Sequence, residues 1–182
     1  NTSVLIDDRP SAFRYPRGAG EIDNTNLNYD SLEIGKGIII KEGNDVAILN
    51  LGTRMQSCEE AIKLLNSHNI YPTLADARFA KPIDKNLIDN LLDHNKYLIT
   101  IEEGSSGGFG SSVLNYIHNE RRKSTLTKIN NIYFPDKFID HQSPEDQYKE
   151  IGMDADSIAN KITKFYQDNI IDFETYNKNI KN

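Results

Sequence analysis

Hydrophobic and polar residues follow one another along the chain in blocks that predict strands and helices in turn. Short apolar or β-branched runs bounded by turn residues are typical of buried strands, and apolar residues three or four positions apart are typical of amphipathic helices. The first pattern predicts strands at 11–15, 38–41, 45–51, 71–79, 97–103 and 129–134. The second predicts helices that end near Asn69, begin after Asp84, cover 111–122, begin after Ser143, and cover 155–168.

This alternation of strands and helices predicts an α/β fold with a mostly parallel sheet and helices on both faces. In such sheets the loops at the carboxyl ends of the strands carry the ligand contacts. An Asn-rich polar segment at 19–30 resembles a linker, and the polar tail from Ile170 is predicted to be frayed. We therefore expect a short leading segment at 1–30, a domain at 31–169 and a frayed tail at 170–182.

Composition and charge narrow the classes of function. The chain has 182 residues, 37% of them hydrophobic, and a net charge of −6. These values are unlike those of a disordered chain and argue against general affinity for nucleic acid or anionic membranes. No apolar run approaches the ~20 residues that span a bilayer, and no signal-peptide pattern is visible. The opening resembles mid-chain sequence, so we expect part of a larger protein.

Two arginine-bearing segments are the candidate anion-binding sites. Arg14, in RYPRG, ends a predicted strand just before a proline, where a guanidinium can fork two donors onto a phosphate or carboxylate. Arg78, in DARFAKPID, lies near the carboxyl end of the 71–79 strand. Asp76 would share its face of that strand and orient or neutralise it. The alternatives are a surface arginine beside a turn for Arg14 and an ion pair in a domain interface for Arg78.

The segment EEGSSGGFGSS, residues 102–112, joins a predicted strand to a predicted helix through four glycines. Backbone amides at the helix start can hold an anion, but the spacing matches neither G-x-G-x-x-G nor a Walker A loop. A glycine-rich turn that permits close chain packing is the favoured interpretation. Glu102 and Glu103 are a candidate proton-transfer pair, with solvated or ion-paired carboxylates as the alternative.

The remaining reactive side chains indicate structural roles. The histidines are not at metal-ligand spacing: two lie at predicted helix ends, one on an exposed helix face and one in a loop, and these are His68, His94, His118 and His141. The single cysteine, Cys58, excludes an internal disulfide and a multi-cysteine zinc site, and we expect it to pack in its helix. The basic run 121–123 closes a helix, an arrangement typical of capping. No catalytic residue or metal site is predicted, so chemistry would need a cofactor or residues elsewhere.

The order of these segments along the chain is more informative about the family than any single segment. The series RYPRG, DARFAKPID, TIEEGSSGGFGSSVL and FPDKFIDHQSPEDQYKEIG closely resembles the carboxyl-terminal part of the 1-deoxy-D-xylulose-5-phosphate synthase family. These are thiamine-diphosphate enzymes of the transketolase group. The resemblance runs from about Ser11 to Phe165, and it departs from the family where HQS replaces the more common HGS.

The resemblance implies an enzyme of the non-mevalonate isoprenoid pathway that condenses pyruvate with D-glyceraldehyde 3-phosphate and releases carbon dioxide. It implies that 1–30 ends the pyrimidine-binding middle domain and adds a linker, and that 31–169 is a transketolase-like carboxyl-terminal domain. Thiamine diphosphate and Mg²⁺ would be bound by amino-terminal domains, so this part alone should be inactive. The implied partners are the amino-terminal portion of the same enzyme and a second copy in a homodimer.

Carried over by position, the resemblance makes Arg14 and Arg78 the residues that bind the acceptor phosphate, with a further role for this part in domain or dimer contacts. The alternative is a non-catalytic interaction domain of another transketolase-like enzyme, such as transketolase or the β chain of a 2-oxo-acid dehydrogenase. The Asn- and Lys-rich composition fits an AT-rich genome such as that of an apicomplexan parasite. The expected location is then a plastid, the apicoplast, and otherwise the cytoplasm.

Overall fold

The structure is a computed structural model, and it describes residues 1–15, 30–121 and 125–180, with side chains described as far as 169. The predicted 19–30 linker lies outside these ranges apart from Asp30. The strands are β1 (Ile38–Lys41), β2 (Asp45–Leu51), β3 (Thr73–Asp76), β4 (Asn95–Glu102) and β5 (Lys128–Ile132). The helices are α1 (Met55–Ser67), α2 (Lys85–His94), α3 (Phe109–Asn115), α4 (Pro144–Ile151) and α5 (Ala155–Ile180).

The five strands form one mixed sheet in the order β1-β3-β2-β4-β5. Strands β3, β2, β4 and β5 pair in parallel, and β1 pairs with β3 in the antiparallel direction at one edge. The predicted mostly parallel sheet is therefore confirmed. The register places Asn50 of β2 opposite both Asp76 and Ile101. The carboxyl ends of these three neighbouring strands consequently lie side by side.

Two hydrophobic cores cover the two faces of the sheet, as the alternation predicted. Side chains alternate in direction along a strand, so Val46 and Ile48 of β2 join one core while Ala47 and Leu49 join the other. The first core packs against α1 and α5, and the second against α2 and α3. Cys58 of α1 is fully buried in the first core, as expected.

The predicted helix starts are confirmed by their capping contacts. The Asp84 carboxylate accepts a hydrogen bond from the backbone N of Leu87 at 3.0 Å, and the Ser143 hydroxyl accepts one from the backbone N of Asp146 at 3.1 Å. These bonds satisfy amide groups that a helix start leaves without partners. Pro144 occupies the first position of α4, where its missing N–H costs nothing.

Several predicted boundaries were wrong. The strand at 11–15 is absent: the described residues offer it no pairing strand, and it is irregular and exposed. The 71–79 strand is confined to Thr73–Asp76 because the chain turns at Arg78. The helix predicted at 111–122 begins at Phe109 and changes to a π-helical turn at Tyr116–Glu120.

The backbone of α5 continues as a helix to Ile180, past Ile170 where the tail was predicted to begin, and fraying of this tail stays a prediction. Once a helix has formed, each added residue contributes a hydrogen bond at little further cost. The sequence between Ala155 and Ile180 contains no Gly or Pro that would end the helix.

In the described part of the chain no helix combines the length and the apolar character that a membrane span requires.

Candidate functional site

The carboxyl edge of the sheet brings together the loops that follow β2, β3 and β4. The backbone N of Ala77, just past β3, donates to the backbone O of Asn50 in β2 at 2.8 Å. Leu51 pairs with Glu102 on the other side. The segments after these strands, which carry Arg54, Arg78 and Glu103, are therefore neighbours, as expected for loops at the carboxyl ends of parallel strands.

Arg78 lies at this edge, but Asp76 does not hold its guanidinium as predicted. Its backbone is left-handed, with φ at 56°, and its backbone N donates to Asp76 Oδ1 at 2.9 Å. The two side chains do not share a strand face, because β3 ends at Asp76. Within the described ranges the Arg78 guanidinium has no hydrogen bond or ion pair, and the residue is exposed. Neither orientation nor neutralisation by Asp76 is seen, and no internal ion pair is formed.

Arg14 lies in an exposed segment without regular structure. No hydrogen bond or ion pair joins it to Arg78 within the part of the chain that the structure describes. The remainder of its motif, residues 16–18, lies outside the described residues. Convergence of the two arginines on one ligand therefore stays a prediction.

The glycine-rich turn encloses a carboxylate that belongs to the chain itself. Glu102 is buried, and its Oε2 and Oε1 accept hydrogen bonds from the backbone N atoms of Phe109 and Gly110, each at 2.8 Å. A Cβ on Gly104 or Gly108 would collide with this carboxylate. Close packing, the favoured interpretation, is thus confirmed. The amides considered for an external anion are occupied, and Glu102 is not exposed as half of a proton-transfer pair.

Glu103 belongs to a different cluster, which the sequence analysis missed. Its Oε1 accepts hydrogen bonds from Arg54 Nε at 2.7 Å, from the Tyr148 hydroxyl at 2.7 Å and from the Thr53 hydroxyl. The Arg54 guanidinium carbon lies 3.4 Å from the centre of the Tyr148 ring, a cation–π contact. The cluster ties α4 to the carboxyl ends of β2 and β4. Thr53 and Arg54 directly follow β2, which was an available signal, but nothing local in the sequence indicated Tyr148.

Burial and the bond to Glu103 together raise the pKa of the Tyr148 hydroxyl. Burial is the larger cause, because it disfavours the charged phenolate, and the neighbouring carboxylate adds to it. The hydroxyl therefore remains protonated and donates to Glu103 at neutral pH. This arrangement anchors a helix and satisfies the carboxylate, and it offers no proton to a ligand.

The basic run at 121–123 was expected to close a helix, and Arg121 does so, because it follows the π-helical turn as its cap and its backbone N donates to the backbone O of Tyr116 at 2.9 Å. The Arg121 side chain is only 2% exposed and bridges two carboxylates of α2, with Nε 2.7 Å from Asp89 Oδ1 and Nη2 2.6 Å from Asp93 Oδ1. Those carboxylates lie four residues apart on one helix face, so a single guanidinium reaches both. The other two residues of the run lie outside the described ranges.

The histidines and the cysteine have the structural positions predicted for them. The ring Nδ1 atoms of His68 and His94 lie 3.0 Å and 2.8 Å from the backbone O atoms of Leu64 and Asn90, one turn earlier in their helices. Burial raises the pKa of the Cys58 thiol to about 12. Among the described residues no group of three or more His, Cys, Asp or Glu side chains could hold a metal ion.

A groove of about 420 Å³ lies at the opposite end of the sheet, near the starts of β2 and β4. It is lined mainly by polar side chains, among them Glu42, Asn44, Thr73 and His94. Neither candidate arginine contributes to it, so it is separate from the carboxyl-edge site.

Comparisons with known proteins assign this chain to a family. The family model described as transketolase, C-terminal domain, matches residues 35–158. A probable 1-deoxy-D-xylulose-5-phosphate synthase 2, chloroplastic, of Oryza sativa subsp. japonica is 44% identical over 160 residues, which is 87% of this chain and 22% of the relative. The 1-deoxy-D-xylulose-5-phosphate synthase 1, chloroplastic, of Cannabis sativa is 47% identical over 161 residues, with the same coverage. The chain therefore spans about a fifth of the length of the curated relatives it matches.

Solved structures agree with this assignment. A split-gene transketolase, described as an inactive beta4 tetramer, superposes with a TM-score of 0.66 at 28% identity and covers 74% of this chain and 43% of its own. A transketolase from Campylobacter jejuni has a TM-score of 0.51 at 14% identity over 71% of this chain and 18% of its own, which shows the fold alone. The chain belongs to the transketolase carboxyl-terminal domain family, and within it resembles the 1-deoxy-D-xylulose-5-phosphate synthases.

Proposed function

We propose that this chain is the carboxyl-terminal part of a thiamine-diphosphate enzyme that condenses pyruvate with D-glyceraldehyde 3-phosphate and releases carbon dioxide. In this proposal Arg14 and Arg78 bind the phosphate of the acceptor aldehyde. The observation that carries it is the Arg78 guanidinium, which is exposed at the carboxyl edge of the sheet without an internal partner in the described ranges. The similarity to two plant synthases supports the choice of reaction.

The chemistry of a phosphorylated acceptor matches two guanidinium groups. A phosphate monoester is close to doubly charged at neutral pH, and a guanidinium presents parallel donors that fit two of its oxygens. When the phosphate is held, the aldehyde carbon at the other end of this short molecule is held in position as well. Substrate binding then supplies part of the entropy cost of bringing the two reactants together in the correct orientation. By the similarity to the plant synthases, we assign Mg²⁺ and thiamine diphosphate to the amino-terminal remainder of the enzyme. That cofactor supplies the carbon–carbon bond chemistry when bound.

We further propose that this part contacts the amino-terminal portion of the same enzyme, and that the assembled enzyme is a homodimer. The relatives are several times longer than this chain, so the amino-terminal portion that would form the other side of this contact is not part of the given sequence. Phe138 is 103% exposed, in a loop whose neighbours Phe134 and Ile139 pack against the first core. A large apolar side chain presented from an anchored loop is typical of a contact site. Without that portion, this part should be inactive.

The boundaries and the location belong to the same proposal. Residues 1–30 would end the middle domain and begin a linker, and 31–169 would form the carboxyl-terminal domain. The names of the rice and Cannabis relatives place those proteins in chloroplasts, which supports a plastid location here. In an apicomplexan parasite that plastid would be the apicoplast.

The test is steady-state kinetics of the full-length enzyme carrying Arg78→Ala. Loss of one charge-assisted phosphate contact should cost about 2–4 kcal/mol, or roughly 30- to 1,000-fold in kcat/KM for D-glyceraldehyde 3-phosphate. The KM for pyruvate should stay nearly constant, because pyruvate lacks the phosphate. Arg9→Ala is a matched control, since Arg9 is an exposed arginine paired with Asp8. An unchanged KM for the phosphorylated aldehyde would contradict the assignment.

The same preparation separates this proposal from its runner-up. Transketolase and the 2-oxo-acid dehydrogenases share the domain architecture but not the substrate pair. Turnover that requires both pyruvate and D-glyceraldehyde 3-phosphate supports the synthase. Turnover of a ketose phosphate with an aldose phosphate, without pyruvate, would instead identify a transketolase.

A further inference from the structure

Glu150 of α4 holds the loop between β5 and α4, residues 133–143, at two points. Its Oε1 lies 3.4 Å from Lys137 Nζ, and its Oε2 accepts a hydrogen bond from Gln142 Nε2. Lys137 precedes Phe138 and Gln142 follows it, so one carboxylate is bonded to the loop on both sides of that residue. Helix α4 is itself tied to the carboxyl end of β4 through its bond to Glu103.

The remainder of the loop is also anchored. Gln147, three positions before Glu150 and on the same helix face, donates from Nε2 to the backbone O of Asp140 at 2.9 Å. The backbone N of Phe134 donates to the backbone O of Gly104 at 2.8 Å, and Ile139 packs against the first core. The loop is therefore fixed to α4, to the turn after β4 and to the core.

Phe138 lies in the middle of this restrained loop and is itself uncovered. It is 103% exposed, so the described residues shield none of its side chain. One exposed apolar residue is ordinary on a protein surface, but here the chain on both sides of it is held in place. Aromatic side chains are enriched at protein contacts, and a group that is already positioned loses less conformational entropy on binding. The loop therefore presents Phe138 to a partner in a conformation that needs little reordering.

The position of the loop indicates which partner it meets. Strands β2, β3, β4 and β5 are parallel, so the loop after β5 lies at the same carboxyl edge of the sheet as Arg78. In the proposed function, Arg78 holds one end of the acceptor while the other end reacts at a cofactor bound by the amino-terminal portion. This edge must then face that portion, which accounts for most of the length of the relatives, since this chain covers 22% of them.

We propose that Glu150, assisted by Gln147, is a positioning residue that holds Phe138 ready to dock, and that the surface receiving Phe138 belongs to the amino-terminal portion of the same enzyme. This inference rests on the proposed function. It adds to the proposed contact the residues that prepare it and the edge of the sheet from which it is made. Glu150 acts through the loop and touches no substrate.

Hydrogen exchange of the full-length enzyme, followed by mass spectrometry, measures this docking. Amides of the amino-terminal portion that the loop covers exchange when the contact opens, so their rate follows the population of the open form. Phe138→Ala should accelerate them roughly ten- to hundredfold. Glu150→Ala should accelerate the same amides about two- to fivefold, because exposed charge pairs contribute modestly. Adding Glu150→Ala to Phe138→Ala should have no further effect, since the side chain that it positions is gone.

A charge swap tests the Glu150 contact by rescue. Lys137→Glu or Glu150→Lys alone places like charges opposite each other and should accelerate these amides at least as much as Glu150→Ala. The double variant K137E/E150K restores an opposite pair, and the Gln142 amide can turn its oxygen toward the lysine, so the original rate should largely return. Lys149→Ala is the matched control, because Lys149 is exposed on α4 and pairs with no described residue. It should leave the rate unchanged.

The outcomes separate this inference from the proposed function. If Phe138→Ala accelerates these amides and Glu150→Ala does not, the positioning role is wrong and the proposed contact stands. An equal effect of Glu150→Ala with and without Phe138 would show a merely structural role and would overturn the inference. If Phe138→Ala accelerates no amide of the amino-terminal portion, the inference and the contact both fail, while the reaction and its arginines are tested separately by acceptor kinetics. Acceleration confined to this domain would indicate a second copy as the occupant, which also overturns the inference.

Discussion

Asp76 Oδ1 accepts a hydrogen bond from the backbone N of Arg78, so this aspartate contacts the backbone of the arginine and not its guanidinium. The bond closes a turn at the end of β3 in which Arg78 has a left-handed conformation. The guanidinium is left without an internal partner in the described ranges.

Removing the Asp76 carboxylate should loosen this turn. Asp76→Ala is expected to destabilise the fold by about 1 kcal/mol, the usual net value of one hydrogen bond, and to raise the KM for the phosphorylated acceptor several-fold. Asp76→Asn keeps an oxygen that can accept from Arg78, so its effects should be smaller. Urea denaturation and acceptor kinetics of the two variants provide the check. Equal behaviour of the two variants would mean that the turn does not position Arg78.

The left-handed backbone of Arg78 predicts a conflict between stability and binding. A non-glycine residue in this conformation destabilises the folded state by about 1–2 kcal/mol. Glycine removes this strain, but it also gives the unfolded chain more conformational entropy, which offsets part of the gain in stability. Arg78→Gly should therefore leave the protein as stable or up to about 1 kcal/mol more stable, while acceptor binding is lost. Arg78→Ala keeps the strain and should show no such gain. Thermal unfolding of both variants tests this, and a lower stability for Arg78→Gly than for Arg78→Ala would refute it.

Glu102 should be a structural residue despite its place beside the candidate site. Glu102→Ala leaves two buried amides of α3 without acceptors and should cost about 2–4 kcal/mol. Glu102→Gln retains one accepting oxygen and should cost less. Urea denaturation gives both values. A loss of turnover in Glu102→Gln without any loss of stability would instead indicate a chemical role.

Because the Cys58 thiol is buried, the protein should become less stable at high pH. Its pKa is raised from 9.0 to about 12 in the folded state, because burial disfavours the thiolate. The native state therefore keeps its proton between these values while the unfolded state loses it, so stability is complete below about pH 9 and declines as the pH rises toward 12. Cys58→Ala removes this contribution, and its free energy of unfolding should fall less steeply over that window. Parallel slopes for the two proteins would contradict the assignment of a buried neutral thiol.

Phe138 should be buried in the complete enzyme if this loop contacts the amino-terminal portion. Phe138→Ser should then lower the thermal stability of the full-length enzyme, because a large apolar side chain is returned to water at a cost of about 1.5–3 kcal/mol. Phe138→Leu should preserve most of the contact. Equal unfolding temperatures for the serine and leucine variants would show that Phe138 faces solvent in the assembled protein as well.

The sheet and its helices were predictable because their signals are local and repeated. Apolar runs such as 45–51 and helical stripes such as the one in α2 each specify an element and a buried face, and the caps Asp84 and Ser143 mark where helices begin. The failures occurred where local pattern is not sufficient. A run such as 11–15 has strand-like composition but forms a strand only beside a partner.

The candidate site was predictable in its position and not in its contacts. Arg78 was placed at the carboxyl edge by the rule for parallel sheets, but the engagement of Asp76 by a backbone amide depends on a left-handed residue that its sequence does not signal. Tyr148 reaches Glu103 across 45 positions of sequence. Such contacts follow from how elements pack, which periodicity alone does not specify.

The central claim is that the two guanidinium groups hold one phosphate. The most direct measurement is a crystal structure of the full-length enzyme with D-glyceraldehyde 3-phosphate, or a phosphorylated analogue, bound. We predict guanidinium nitrogens of both Arg14 and Arg78 within about 2.7–3.2 Å of oxygens of the same phosphate. A phosphate held by other residues, or by one of these arginines while the other lies beyond reach, would contradict the account.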